Sequence, residues 1–175
     1  MRSVSRTRFL LGFLLAMVVG VSTFLLVSHG PGGGTGGATG TGSAALAGSA
    51  APFSIEGKAT EPISPGVGAS LNLKLTNPND VPISVTDLTV TVQKIRAPKA
   101  DGARPCTVRD FTVKQGSSSA GITLAARASS TLSNLGLPRT AWPEVRLLER
   151  AVDQDGCKGA TLALEFAASG TREQR

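Results

Sequence analysis

Two different hydrophobic patterns divide this chain of 175 residues. An apolar run without a single charge extends from Phe9 to Val27. After residue 51, apolar and polar positions alternate over short stretches, which is the period of a β-strand with one buried face. The first pattern predicts a helix that enters a membrane, and the second predicts a folded domain built from strands.

The alternation is clearest from Leu71 to Leu75. It changes phase near Thr86 and Asp87, which predicts a β-bulge or a bend in a longer strand. Residues 144–151 fit either a strand or a short helix. Alternating apolar residues predict further strands around Phe53 and Ile55, from Ile83 to Val92, and around Phe111 and Val113, Ile122 and Leu124, Val145 and Leu147, and Leu162 to Phe166.

Turn-forming residues separate these runs, as at Asn77-Pro78-Asn79-Asp80 and Asp155-Gly156. Short strands at this spacing are typical of a β-sandwich. We therefore predict an all-β, Ig-like or fibronectin-III-like β-sandwich of about 7–9 strands over residues 51–170, followed by a tail at 171–175. Trp142 lies nearer the second cysteine than the first, unlike the tryptophan of antibody domains, so the likeness is one of architecture.

A basic tip at residues 1–8, with Arg2, Arg6 and Arg8, precedes the apolar run. About nineteen helical residues cover ~28 Å, close to the ~30 Å hydrocarbon core of a bilayer. Signal peptides carry a shorter apolar region and a small-residue cleavage site. We predict a single-pass transmembrane signal anchor at residues 9–27, with the rest of the chain outside the cell membrane, because positive flanks stay in the cytoplasm. A cleaved signal that frees a secreted domain is the main alternative, and a buried core helix or a twin-arginine signal is a weaker one.

Gly, Thr, Ala and Ser dominate residues 28–50. This composition buries little apolar surface and cannot offset the entropy lost on ordering. We therefore predict a disordered linker between the membrane segment and the domain. His29, the only histidine of the chain, lies at its start and is expected to be a polar residue at the membrane boundary.

The net charge of +6 says little about partners. Three of the positive charges lie in the basic tip, so the predicted domain has a surplus of about three, with both signs mixed. It has no basic run with interleaved aromatic residues, which disfavours nucleic-acid binding. Weak attraction to an anionic wall polymer, screened by salt, is the remaining electrostatic expectation.

Cys106 and Cys157 are the only cysteines. Outside the cell they would meet an oxidising environment, where pairing is the default. A disulfide between them would stabilise the domain by roughly 4 kcal/mol on the chain-entropy model. Two free thiols or an intermolecular bond are the alternatives, and a zinc site would need more ligands.

Candidate chemistry is sparse after residue 50. Without a histidine there, a nucleophile–base pair would need a Ser-Lys or carboxylate scheme, and the run Ser117-Ser118-Ser119 is typical of a solvated loop. The segment Asp153-Gln154-Asp155-Gly156 resembles the start of a calcium loop, but the later oxygen ligands are missing. We interpret it as a polar turn that leads to the cysteine, and we predict no catalytic residue, cofactor or metal site.

Asn77-Pro78-Asn79 followed by Val81-Pro82-Ile83 is similar to the hairpin of the water-stress and late-embryogenesis-abundant type 2 fold. Together with the apolar segment, a mid-domain cysteine and the late series Gln154, Cys157, Gly159 and Ala160, it resembles more closely a set of exported Ig-like β-sandwich proteins of high-GC Gram-positive bacteria. The likeness covers residues 51–170. It implies a fold and an exported location, and it implies no activity.

The sequence thus predicts a non-catalytic, membrane-anchored extracytoplasmic domain that acts as a structural or interaction module of the cell envelope. Its predicted partners are the lipid bilayer, through residues 9–27, and an envelope protein or wall polymer. A secreted binding protein is the alternative, and a small hydrolase comes third.

Overall fold

A computed structural model of the chain describes residues 37–46, 51–117 and 121–173. These residues are all-β, which confirms the predicted class. No helix among them is long and apolar enough to cross a membrane. The predicted basic tip at 1–8, the membrane helix at 9–27 and His29 lie outside the described residues.

The described residues form nine strands and three short 3-10 helices, a strand number within the predicted range. The 3-10 helices are Val108–Asp110, Arg139–Ala141 and Asp155–Cys157. The strands are β1 Gly37–Leu46, β2 Phe53–Ala59, β3 Gly68–Thr76, β4 Ile83–Arg96, β5 Phe111–Lys114, β6 Ile122–Leu124, β7 Ser129–Thr131, β8 Glu144–Leu147 and β9 Thr161–Arg172.

One hydrogen-bonded sheet contains these strands in the order β5-β8-β3-β2-β1-β9-β4-β6, and β7 pairs separately with β3. β3 is shared, because its start pairs with β8 and its end with β7, while β2 lies along its other side. Pairing is antiparallel except between β1 and β9, which run parallel. The sheet curls, and the Gln115 side chain at the end of β5 reaches Val90 in β4.

The inward-facing residues of these strands form one core, as their alternation predicted. The predicted phase change in β4 is also confirmed, because the pairing with β9 shifts register between Thr86 and Thr89, and Asp87 has φ of 50°. The largest fully buried side chains are Phe53, Phe166, Ile55, Leu71, Leu73, Leu75, Ile83, Leu124, Leu132, Val90, Val145 and Asn77.

Two predicted boundaries and one considered helix are corrected. Residues 37–46, expected within the disordered linker of 28–50, form β1; the rest of that linker lies outside the described residues. Thr171 and Arg172, expected in the tail, are the last residues of β9. The short helix considered for 144–151 is wrong, because Glu144–Leu147 is extended and pairs with β5 and β3.

Glycine allows β1 to fit between its neighbours. A Cβ on Gly40 would overlap the main chain of Leu164, and a Cβ on Gly42 would overlap the main chain of Phe166. The buried residues at the two sides of this glycine pair are also small, since Ala38 and Ala44 are each 2% exposed. β1 therefore packs through its small residues, while its threonines and Ser43 face solvent.

Candidate functional site

The cysteine pair joins two loops at one end of the sheet. Cys106 lies in the loop after β4, and Cys157 ends the 3-10 helix before β9. Their Cα atoms are 5.2 Å apart, and the sulfurs are bonded, as the predicted pairing requires. Both cysteines are buried, with 9% and 7% of their surface exposed. We call the loops 60–67, 97–110 and 148–160 the cystine end of the domain.

Gly156 lets the two cysteine loops approach each other closely. A Cβ at this position would occupy the place of the Arg104 carbonyl oxygen. Gly156 is buried, so a side chain could not turn into solvent. The turn signal in the sequence thus marks a close contact between main chains as well as a change of direction.

A cleft of about 530 Å³ opens beside the disulfide. Its volume is within the range of small-ligand sites, roughly 300–1,000 Å³. Its lining comes from both cysteine loops and includes Thr107, Arg109, Asp110, Arg150, Val152 and Gln154.

Asp110 and Arg150 hold the polar side of the cleft. Arg150 Nε lies 3.4 Å from Asp110 Oδ1, and Arg150 Nη2 donates to the Arg109 carbonyl oxygen at 2.7 Å. The second carboxylate oxygen of Asp110 accepts hydrogen bonds from Thr107 N at 2.7 Å and Thr107 Oγ1 at 3.0 Å. This carboxylate therefore fixes the start of a 3-10 helix and is paired with a guanidinium.

Gln154 gives the 148–157 loop a defined shape. Its Nε2 donates to the Leu148 carbonyl oxygen at 2.7 Å, and its Oε1 accepts from Arg150 N at 3.2 Å. Leu148 N in turn donates to the Asp110 carbonyl oxygen at 2.8 Å, which links this loop to the loop of the other cysteine. The lining of the cleft is therefore held by cross-links other than the disulfide.

Three carboxyl groups of the cystine end have a lowered pKa. A hydrogen bond from the Arg104 side chain lowers the pKa of Asp101, and one from Lys158 lowers the pKa of Asp155. Hydrogen bonds from Thr60 and then Arg139 lower the pKa of Glu61. A general acid near neutral pH needs the opposite shift.

The segment that resembles a calcium loop is a short turn. Asp153 Oδ1 accepts from Asp155 N at 2.8 Å, and Asp155 Oδ1 lies 2.7 Å from Lys158 Nζ. The turn leads directly into Cys157, as interpreted from the sequence. Near it, the sulfurs of the cysteine pair and a carboxylate oxygen of Asp110 lie within 4.8 Å of one another, but bonded sulfurs are not thiolate ligands.

Asn77 and Asn79 belong to the hairpin motif on which the family resemblance rests. They lie at the end of the domain opposite the cystine end, where their side chains bond to neighbouring loops. Asn77 is 1% exposed, and its Nδ2 donates to the carbonyl oxygens of Val81 and Ala125, each at 2.9 Å. Its Oδ1 accepts from Asn79 N at 3.0 Å, and the Asn79 side chain binds the main chain of Ala51. The motif thus ties three loops together.

The serine run is described only in part. Ser117 N donates to the Ala141 carbonyl oxygen at 3.0 Å, while Ser118 and Ser119 lie outside the described residues.

Sequence reasoning missed the Arg139 cluster. The Arg139 side chain pairs with Glu61 and lies 5.7 Å from the centre of the Trp142 ring. Glu61 is far from Arg139 and Trp142 in sequence, and no motif links it to them.

Comparison with known proteins found no matching family model, curated protein or solved structure.

Proposed function

We propose that this protein is a non-catalytic, membrane-anchored interaction module whose β-domain lies outside the cell membrane. Residues 9–27 would be the anchor, and the domain would be a module of the cell envelope. The bonded cysteine pair is the structural observation that supports export most directly, because stable disulfides are typical of oxidising compartments.

The cystine end supports a binding role better than a catalytic one. Its cleft has the volume of a ligand site, and its polar side chains are engaged in holding loops. The Asp110 carboxylate is paired with Arg150, and neighbouring carboxylates have lowered pKa values. Preformed, rigid clefts lose little entropy when they bind a partner.

For the fold, we propose the Ig-like sandwich. The curl of the sheet brings β5 towards β4, where Gln115 bonds to both main-chain groups of Val90. Apolar residues from the strands on the two sides of this curl form a single core.

Membrane fractionation of cells that express the full chain, followed by intact-mass measurement, tests the proposed function. If the chain is anchored, it remains in the membrane pellet after carbonate washing and retains its first residues. A shorter form in the culture medium, starting after the apolar run, would instead establish the secreted binding protein.

A further inference from the structure

The start of β1 lies at the cystine end of the domain. Gly37 pairs with Thr161, and Gly37 N donates to the Ala160 carbonyl oxygen at 3.2 Å, three residues after Cys157. The chain from the N-terminal segment therefore enters the domain beside the disulfide.

The connection to the apolar run is short. Gly37 follows Val27 by ten positions, and ten residues span at most about 35 Å when fully extended. If residues 9–27 are anchored in the bilayer, the cystine end is held within that distance of the lipid surface.

Exposed apolar side chains lie at the same end. Among the described residues, the large hydrophobic side chains with high exposure are Val67 at 60% and Val152 at 66%. Val67 precedes β3 and Val152 lines the cleft, and their loops are adjacent because Gly66 N donates to the Leu147 carbonyl oxygen at 3.1 Å. Exposed charges of both signs surround them, with Lys99 and Arg109 in the loop 97–110 and Glu149 and Asp153 in the loop 148–160.

We propose that the cystine end docks onto the phospholipid surface of the membrane that anchors the chain; this rests on the proposed function. Val67 and Val152 enter the headgroup layer and supply the attraction. The loops of this end carry six acidic side chains, Glu61, Asp101, Asp110, Glu149, Asp153 and Asp155, against five basic ones, Lys99, Arg104, Arg109, Arg150 and Lys158. Charge therefore adds no net attraction, and added salt should not weaken docking. The tether offsets a weak affinity by keeping the local lipid concentration high.

Fluorescence quenching in the full chain tests this docking. The chain has one tryptophan, Trp142, which is buried and gives a constant background. Val152→Trp and, separately, Val67→Trp place a probe at the cystine end. Ala125→Trp is the matched control, because Ala125 is exposed in the loop after β6 at the opposite end.

Each variant is reconstituted in vesicles of phosphatidylcholine and phosphatidylglycerol that contain a headgroup-nitroxide lipid. Docking predicts that most of the added emission of Val152→Trp and Val67→Trp is lost, while that of Ala125→Trp is retained. Equal quenching of all three variants, or stronger quenching of the control, would overturn the docking and leave the anchor standing. Failure of the chain to co-sediment with vesicles after carbonate washing would overturn both proposals.

Discussion

At the scale of single residues, the smallest side chains of β1 decide whether the strand can form. Gly40 and Gly42 face β9 so closely that any Cβ would overlap main-chain atoms. Phe166 fills the neighbouring space, and its ring also lies against Gly57 of β2. Large and small residues thus complement each other across three strands, as close packing requires.

Replacing Gly42 with valine separates packing from strand propensity. Propensity alone favours valine over glycine in a strand, so Gly42→Val would then stabilise the domain. We expect the reverse, a loss of about 1–3 kcal/mol or more, because the added atoms overlap Phe166. Thr41→Val introduces the same residue on the exposed face and should change the free energy of unfolding by less than about 0.5 kcal/mol. Urea unfolding measures both, and equal effects would contradict the packing of β1.

Asn77 is the buried polar side chain on which the loops of the opposite end depend. Asn77→Ala leaves the carbonyl oxygens of Val81 and Ala125 without their donor, so we expect a loss of roughly 2–4 kcal/mol. Asn134→Ala, at an exposed turn, is the control. Thermal unfolding that shifts equally in both variants would show that the buried amide is not a structural tie.

The lowered pKa values predict how stability depends on acidity. A carboxylate whose folded pKa is depressed stabilises the domain above its unfolded pKa, about 4, and this contribution is lost as the pH falls through the folded value. Stability should therefore stay level from neutral pH to about pH 5 and decline as the pH falls further, and the lowered pKa of Asp101 next to Arg104 contributes to that decline. Asp101→Asn should flatten the dependence, as measured by the melting temperature at several pH values. An unchanged profile would contradict the role of this pair.

At the scale of elements, the sequence predicted every described strand whose inward residues are large, from β2 to β9 with the exception of the short β7. β1 was missed because its inward positions are occupied by Ala and Gly, which resemble a linker in composition. A signal was present: Thr39, Thr41 and Ser43 alternate with those small residues at the period of a strand. Only its neighbours, β2 and β9, show that such a segment is buried.

The cysteine pairing could be predicted from composition and the expected compartment, but the cleft beside it could not. Its shape depends on Gln154 and Asp110, whose side chains bond to main-chain groups of their own loops. The hydrogen bond from Gln154 to the Leu148 carbonyl oxygen leaves no residue pattern in a sequence, since any residue can supply the carbonyl oxygen.

The Gln115 side chain bonds to the main chain of β4 in the way that a neighbouring strand would. Its Oε1 accepts from Val90 N at 2.8 Å, and its Nε2 donates to the Val90 carbonyl oxygen at 2.9 Å. Gln115→Ala should accelerate hydrogen exchange of the Val90 amide and cost about 1–3 kcal/mol, because both groups lose their partner. Gln93→Ala, on the exposed side of the same strand, should leave that amide unchanged. Equal exchange at Val90 in both variants would contradict the bridge.

Removing the disulfide tests what holds the cystine end. Cys106→Ala combined with Cys157→Ala should lower the free energy of unfolding by roughly 4 kcal/mol. Because Arg150 and Leu148 still link their loop to Asp110 and Arg109, we expect the remaining folded domain to keep its cleft. Hydrogen exchange that increases throughout residues 97–110 and 148–160 in the folded variant would show that the cystine alone orders this end.

At the scale of the whole molecule, we propose that an apolar segment, a tether and a cystine-linked β-domain form an exported module. Every lysine of the chain lies at residue 58 or later, so amine labelling of lysines reports on the domain alone. The most direct measurement is treatment of intact cells with a membrane-impermeant biotin ester, followed by peptide mapping of the protein from washed membranes. Export predicts biotin on the domain lysines before lysis; lysines that become labelled only after the cells are broken would contradict export.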